Sequence, residues 1–206
     1  MTSAANTELQ GTMVLVRHGE TEWSKSGRHT GLTDIPLTET GIYKSQLAGT
    51  LLATRRFDLV LTSPLRRAVE TARHAGFPGA EPDERLHEWD YGAYEGLTTP
   101  EIIAQLGHPW SIWDDGAPAG ETPGESVGEV TARAESLLGS IRPRLERGEH
   151  VLMFSHAHFI RALTGTWLGL TAAGGRYFWL GTSAVNELGY EHGRPVVLEW
   201  NHVRGR

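Results

Sequence analysis

Residues 15–23 of the chain read LVRHGETEW, and the fold predicted for the whole chain starts from this stretch. The apolar residues 14–16 are typical of a buried strand, and Gly19 ends the run. Arg17 and His18 should therefore emerge together at the C-terminal edge of a strand, where ligands bind in open α/β sheets. A neutral imidazole can attack phosphorus while a neighbouring guanidinium holds a phosphoryl oxygen, so the pair indicates a phosphohistidine nucleophile. Taken alone, however, such a pair is more often an ordinary surface or capping pair.

The composition is that of one globular domain. Hydrophobic residues make up 39% and charged residues 21% of the 206 residues, and cysteine is absent, which excludes disulfides and cysteine-phosphatase chemistry. No run of about 18 apolar residues occurs, and residues 1–12 lack the features of a secretory signal, so we expect a cytoplasmic protein without a membrane partner. The net charge of −6 includes no long basic block, which argues against a nucleic-acid partner.

Strands and helices alternate along the chain. Apolar runs predict further buried strands at 59–61 and 151–154, and two more at 184–190 and 196–200. Helical spacing extends from Thr38 to about Thr54, from about Leu65 to His74, from Glu125 to about Arg147 and from Phe159 to Leu168. This order predicts an α/β fold, a three-layer αβα sandwich whose central sheet is mainly parallel with helices on both faces.

Two irregular segments are predicted to surround the edge of this sheet. The polar stretch from Ser24 to Pro36 is too long for an ordinary connection, which makes it a candidate binding loop. Residues 88–124 are rich in Trp, Gly and Pro and are interpreted as a cap-like insertion within a single domain at 13–200. Residues 1–12 are expected to be a flexible N-terminus.

Two further strand ends carry basic residues. In TSPLRRAVET, residues 62–71, Pro64 starts a helix, so Arg66 or Arg67 lies in a first turn whose free N–H groups favour anions. In FSHAHFIR, residues 154–161, His156 follows a strand and His158 lies two residues further on. Each segment alone could be an ordinary surface, but three basic strand ends in one domain indicate a phosphate pocket.

A candidate acid lies in LHEWDYGAYEG, residues 86–96. Aromatic residues flank Glu88, and their bulk is expected to desolvate its carboxyl group and raise its pKa. A protonated carboxyl group can donate its proton to a leaving alkoxide. Spacing alone leaves three alternatives for this role, namely His87, Asp90 and Glu95.

These four segments, in this order and spacing, resemble those of the histidine phosphatase superfamily, the phosphoglycerate-mutase-like proteins, from about Met13 to Tyr190. The resemblance implies a mainly parallel sheet and a phosphorylated intermediate at His18. It also implies roles for residues that match the family's pattern: Arg17, Arg67 and His156 hold the phosphoryl group, Glu88 is the proton donor and Ser24 contacts the phosphate.

Two segments, WSKSGRHTGLTD at 23–34 and EWDYGAYEG at 88–96, resemble the branch that contains acid phosphatases and sedoheptulose-1,7-bisphosphatase. Mutases usually carry asparagine where Ser24 stands and basic residues in the insertion, whereas residues 98–124 contain no Lys or Arg. Hydrolysis is therefore predicted. A phosphoglycerate mutase is the alternative, and a non-catalytic module that binds phosphorylated ligands is a third hypothesis. Ala157 replaces the family's usual glycine, which restricts the backbone there.

The predicted mechanism begins when neutral His18 attacks a phosphomonoester. Arg17, Arg67 and a protonated His156 neutralise the phosphoryl oxygens, while Glu88 protonates the leaving group. Fixed cations take the place of a divalent ion, so we expect no metal and no other cofactor. His156 and His158 could suggest zinc, but no third ligand has a recognisable spacing.

The substrate is expected to be a small phosphorylated metabolite, a sugar phosphate or bisphosphate. Arg28, His29 and Thr30 are candidate contacts to the leaving group or a second phosphate, and Ala157 and His158 are further candidate substrate-binding residues. Because many relatives dimerise, the resemblance also implies a homodimer, although no stretch of sequence identifies its interface.

Overall fold

A computed structural model describes residues 10–204. Its single sheet has the strand order β3-β2-β4-β1-β5-β6. Strands β1 to β4 are parallel, β5 is antiparallel to β1, and β6 is antiparallel to β5. The predicted mainly parallel sheet is thus confirmed. The strands are β1 Met13–Arg17, β2 Leu59–Thr62, β3 Glu81–Pro82, β4 Val151–Ser155, β5 Val185–Glu191 and β6 Arg194–His202.

Helices lie between most of these strands. They are α1 Glu22–Ser26, α2 Glu39–Leu52, α3 Arg66–His74, α4 Thr99–Leu106, α5 Ile112–Asp115, α6 Val127–Glu146 and α7 Ala157–Trp167. Side-chain caps set two of the predicted starts, because Thr38 accepts from the N–H of Gly41 and Ser126 accepts from that of Glu129. Within residues 10–204, no helix is both long and apolar enough to cross a membrane.

Two short elements differ from the sequence expectations. Helix α1 overlaps the predicted loop from Ser24 to Pro36, and it has no buried residue whose periodicity could reveal it. Strand β3 is a two-residue edge strand that contains a proline. Of the predicted flexible N-terminus at 1–12, residues 1–9 lie outside the described residues.

The alternation of side chains along the central strands produces the three layers. Met13 and Leu15 belong to one buried cluster, with residues of α6 and α7, while Val14 and Val16 belong to a second, with residues of α2 and α3. Residues 151–154 of β4 divide between the two clusters in the same way. Since successive side chains point to opposite faces of a sheet, these continuous apolar runs indicate strands that are covered on both sides.

Two glycines allow α2 to pack against the segment that follows β1. A Cβ atom on Gly19 would lie 2.6 Å from the carbonyl oxygen of Gly41, and one on Gly41 would lie 2.2 Å from that of Glu20. Neither position can hold a larger residue without moving backbone. The turn after His18 is therefore fixed in place by direct backbone contact.

Candidate active site

The carboxyl ends of three neighbouring strands bring the predicted basic residues together. Arg17 pairs with Ser155 across β1 and β4, so His18 and His156 each follow directly from the paired strand ends. Their ring centroids are 5.1 Å apart. Arg67 lies in the first turn of α3, after β2, and its Nε–H donates to Nδ1 of His156 over 3.1 Å.

The imidazole of His18 has a defined tautomer. Its Nδ1–H donates to the carbonyl oxygen of Gly19 over 2.7 Å, which leaves Nε2 unprotonated. Burial lowers the pKa of His18 well below its usual value, and the positive charges of Arg67 and Arg17 lower it further. The side chain is thus a neutral base whose free nitrogen lone pair is Nε2.

His156 is neutral as well, which corrects the expectation of a protonated imidazole. Its Nδ1 accepts from Arg67, so the ring proton is on Nε2, which donates to Ser63 Oγ over 2.8 Å. Burial lowers the pKa of His156 well below its usual value, and the charge of Arg67 adds to the effect. A buried guanidinium beside the ring makes a second positive charge unfavourable.

Arg67 is completely buried, and its guanidinium donates to backbone carbonyl groups as well as to His156. Nη1 donates to the carbonyl oxygen of Thr33 over 2.9 Å, and Nη2 donates to those of Thr30 and Gly31 over 3.1 and 2.7 Å. The guanidinium therefore anchors the loop after the nucleophile, and much of its donor capacity is used on that loop.

Arg17 carries the positive charge that borders the open part of the site. Its Nη1 donates to the carbonyl oxygen of Leu180 over 2.6 Å, whereas its buried Nε has no hydrogen-bond partner within the described residues. Burial lowers the pKa of Arg17 to about 10, against the opposing influence of the Glu88 carboxylate. The guanidinium stays charged at neutral pH, with one buried N–H available to an acceptor.

The carboxyl group of Glu88 lies at the N-terminus of α7. Its Oε1 accepts from the backbone N–H groups of Trp89 and Phe159, and its Oε2 accepts from that of His158, over 2.8 to 3.0 Å. The expected aromatic surroundings are thus not its immediate partners. Three N–H donors and a helix N-terminus bind a carboxylate through hydrogen bonds and the helix dipole.

The three alternative acids are engaged elsewhere. Asp90 accepts from the N–H groups of Gly92 and Gly124. Glu95 accepts from those of Gly31 and Thr33, and His87 Nδ1 contacts the carbonyl oxygen of Glu88. Of the four candidates only Glu88 lines the pocket described next.

A pocket of about 170 Å³ opens over these groups. Its volume is below the roughly 300–1,000 Å³ typical of pockets for drug-sized ligands, which suits a small substrate. All six candidate substrate-binding residues line it together with three candidate catalytic residues, whereas Arg67 and His156 lie behind its wall. The lining residues are Arg17, His18, Ser24, Gly27, Arg28, His29, Thr30, Glu88, Tyr91, Ala157 and His158.

Tyr91 was not predicted to be a site residue. Its hydroxyl group contacts His158 Nδ1 over 2.5 Å, and its ring stacks on His29 with centroids 4.6 Å apart. Burial and the charge of Glu88 raise the pKa of Tyr91 well above its usual value, so its hydroxyl group is neutral in this contact. Burial lowers the pKa of His29 to about 4, so this wall carries no positive charge near neutral pH.

Two smaller features complete the pocket. Ser24 forms a capping box with Thr21 at the start of α1, so its hydroxyl group is part of the helix end. Ala157, which stands in place of the family's usual glycine, is the first residue of α7 and is not among the residues with positive φ.

The described residues contain no group of three or more His, Asp or Glu side chains able to hold a metal ion.

A guanidinium network supports the segment that carries Glu88. Arg133 of α6 donates from Nη1 to the carbonyl oxygen of His87 over 2.8 Å and forms a bidentate pair with Glu125, at 2.7 and 2.9 Å. Its guanidinium carbon lies 4.2 Å from the ring centroid of Phe159. Glu88 is thus held from one side by α7 and from the other by Arg133.

Neutral histidines and buried arginines at the carboxyl ends of parallel strands define an α/β protein built to hold a phosphate group. The sequence model of the histidine phosphatase superfamily (branch 1) matches residues 13–203. The chain belongs to this superfamily and is a phosphatase.

Known relatives agree with this membership. An acid phosphatase of Mycobacterium tuberculosis is 43% identical over 88% of this chain and 87% of its own length. The sedoheptulose 1,7-bisphosphatase of Saccharomyces cerevisiae is 34% identical over 76% of this chain and 67% of its own length. A 2,3-bisphosphoglycerate-dependent phosphoglycerate mutase of Methylobacterium is 36% identical over 87% of this chain and 92% of its own length. A solved structure of an M. tuberculosis protein matches with a TM-score of 0.87 and 40% identity, covering 94% of this chain and 98% of that one.

Proposed function

We propose that the chain hydrolyses a small phosphorylated metabolite, a sugar phosphate or sugar bisphosphate, through a phosphohistidine at His18. The observation that carries the proposal is the hydrogen bond from His18 Nδ1 to Gly19, which leaves Nε2 as the free lone pair inside a pocket bordered by Arg17 and Glu88. The names of the acid phosphatase and sugar bisphosphatase relatives support this class of substrate.

In the first step, His18 Nε2 attacks phosphorus and the bond between phosphorus and the leaving oxygen breaks. The Arg17 guanidinium stabilises the charge on the phosphoryl oxygens, and the carboxyl group of Glu88 gives its proton to the leaving oxygen. His156 is neutral, because its Nδ1 accepts from Arg67 and its Nε2–H donates to Ser63, so it adds no further positive charge to this step. The products of this step are an alcohol, a Glu88 carboxylate and phosphohistidine.

In the second step, water attacks the phosphohistidine. The Glu88 carboxylate takes a proton from the water as its oxygen bonds to phosphorus, and the bond between phosphorus and Nε2 breaks. Inorganic phosphate leaves with His18 neutral again and Glu88 protonated, so the cycle closes without a net change in the enzyme.

Hydrolysis is favoured over mutase activity by the composition of the predicted cap-like insertion. Residues 98–124 contain no Lys or Arg to retain a released bisphosphorylated intermediate. The test supplies 3-phosphoglycerate with a trace of 2,3-bisphosphoglycerate, and separately a panel of sugar phosphates. We expect release of inorganic phosphate; formation of 2-phosphoglycerate without phosphate release would favour the mutase, and binding without either product would favour a non-catalytic module. The cytoplasmic location and the homodimer stay predictions.

The nucleophile should remain active in acid solution. Because the pKa of His18 is lowered well below 6.5, the ring becomes protonated, and loses its lone pair, only at a pH below its usual range. A profile of kcat/KM against pH for glycerol phosphate should therefore keep its activity to a pH below the usual range of histidine, and an acid limb with its midpoint at or above pH 6.5 would contradict the mechanism.

The substrate phosphate titrates near pH 6 and therefore also shapes the pH profile of the rate. For this reason the pKa of the His18 imidazole is measured directly. NMR titration of His18 in the folded protein should give a pKa below 6.5, with the histidines of the urea-unfolded chain as the internal reference near 6.5. A folded-state value at or above this reference would show that burial and the two arginines do not control the ring.

Arg133 is expected to act by positioning Glu88. Arg133→Met removes the support beneath the Glu88 segment and should lower kcat for glycerol phosphate between about tenfold and 10²-fold, with KM within about twofold. Arg133→Lys should recover little, because one ammonium cannot reproduce the bidentate pair with Glu125. If KM rises while kcat is unchanged, Arg133 contributes to binding rather than to the position of the acid.

A further inference from the structure

A second cavity, of about 290 Å³, lies beside the catalytic pocket. The two cavities share Arg17 and Ser24 as lining residues, so they meet at this wall. We call the second one the basic cavity, because Lys44 of α2 and Arg204 join Arg17 in its lining and no carboxylate does. In a chain with a net charge of −6, three cations without an acidic neighbour are a local exception that favours an anion.

The cations of the basic cavity are not neutralised within the described part of the chain. Neither Lys44 nor Arg204 forms an ion pair with a carboxylate of residues 10–204. Arg204 donates to Thr50 Oγ1 over 2.5 Å, which directs its side chain toward α2. Arg17 adds the buried Nε that lacks a partner among these residues, and buried N–H groups are rarely left without an acceptor.

Two exposed aromatic side chains also line the basic cavity. Tyr43 of α2 and Trp179 are 60% and 62% exposed, and exposed apolar surface beside a cavity is typical of binding sites. The carbonyl oxygen of Trp179 accepts from Trp200 Nε1 over 2.7 Å, and the N–H of Gly181 donates to Asn201 over 2.8 Å. Strand β6 therefore holds the segment that carries Trp179, and the two rings offer faces for the carbon chain of a ligand.

From these features, and on the basis of the proposed function, we propose that the basic cavity binds the second phosphate of a bisphosphorylated sugar whose first phosphate reacts with His18. Arg17, shared by both cavities, contacts both ends of the substrate. This assignment differs from the sequence expectation that Arg28 and its neighbours hold a second phosphate, because Arg28 lines the catalytic pocket and not the basic cavity.

The geometry also limits the substrate. Glu88 lines the catalytic pocket and not the basic cavity, so the leaving oxygen lies on the Glu88 side and the carbon chain must turn past Ser24 to bring a second phosphate to Lys44. A substrate with phosphates at the two ends of a sugar can make this turn. A vicinal bisphosphate, such as 2,3-bisphosphoglycerate, carries its two phosphates on adjacent carbons and is expected to be the poorer substrate.

The test compares kcat/KM for fructose 1,6-bisphosphate, fructose 6-phosphate and p-nitrophenyl phosphate. In the double variant Lys44→Met, Arg204→Met, kcat/KM for the bisphosphate should fall about tenfold or more. The values for the two monophosphates should stay within about twofold of the wild type. The control Lys25→Met, Arg56→Met removes the same charge from exposed positions that line neither cavity, and it should leave all three values unchanged.

Three results would overturn the proposal: equal losses on all substrates, a loss on the bisphosphate that follows Arg28→Met instead, or a wild-type enzyme that prefers fructose 6-phosphate to the bisphosphate. Binding is measured separately by calorimetry in His18→Ala, where turnover plays no part. There the Lys44 and Arg204 substitutions should weaken fructose 1,6-bisphosphate about tenfold and leave inorganic phosphate unchanged; unchanged affinity for the bisphosphate contradicts the proposal. Absence of p-nitrophenyl phosphate turnover in the wild type would instead contradict the proposed function.

Discussion

His18→Ala is expected to lower kcat for p-nitrophenyl phosphate by about 10⁴-fold or more, because the variant lacks the nitrogen that receives the phosphoryl group. The ring's direct hydrogen bond is to the adjacent Gly19, so its loss removes no long-range contact through Nδ1. Release of inorganic phosphate measures the effect, and the thermal unfolding midpoint shows whether the variant is folded.

His108→Ala is the matched control, because this histidine is exposed and its Nδ1 also contacts the carbonyl oxygen of the next residue. Its activity should stay within about twofold of the wild type. A folded His18→Ala variant that keeps a tenth of the wild-type rate would show that water, or another group, attacks phosphorus directly.

Glu88→Gln is expected to lower kcat by about 10²- to 10⁴-fold for glycerol phosphate and far less for p-nitrophenyl phosphate. An alkoxide needs a proton as it leaves, whereas the nitrophenolate ion is stable without one. The substitution also disturbs three backbone hydrogen bonds, and damage of that kind would affect both substrates alike. The ratio of the two rates therefore separates proton donation from structural support.

Asp90→Asn and Glu95→Gln serve as the comparison, since both carboxylates hold backbone N–H groups but lie outside the catalytic pocket. These two substitutions should change kcat for glycerol phosphate and for p-nitrophenyl phosphate by the same factor. If one of them shows the dependence on the leaving group and Glu88→Gln does not, that residue is the acid.

The framework of this site follows from the sequence because it depends on local patterns. The apolar runs at 14–16 and 151–154 indicate covered parallel strands, and parallel strands end at one edge of the sheet. His18 and His156 immediately follow two such runs, so their proximity could be predicted although the residues are far apart in the chain. The caps at Thr38 and Ser126 are equally local.

The protonation states depend on contacts between distant segments. The neutral form of His156 results from its burial and from Arg67 of α3, and two of the three donors to Glu88 come from the first turn of α7. Aromatic neighbours in the sequence suggested desolvation of Glu88, but its carboxyl group accepts from backbone N–H groups, two of which belong to residues about 70 positions away. Tyr91 belongs to the site because its hydroxyl group contacts His158, and no rule of sequence spacing predicts that contact.

Transfer of the phosphoryl group through His18 can be observed by trapping the intermediate. The wild-type enzyme is mixed with ³²P-labelled substrate, quenched in alkali within milliseconds and digested, and the labelled peptide is identified by mass spectrometry. We expect an alkali-stable, acid-labile label on the peptide that contains His18, formed before steady-state release of phosphate and absent from His18→Ala. Turnover at the full rate with no label on this peptide, or with the label on His156 or His158, would contradict it.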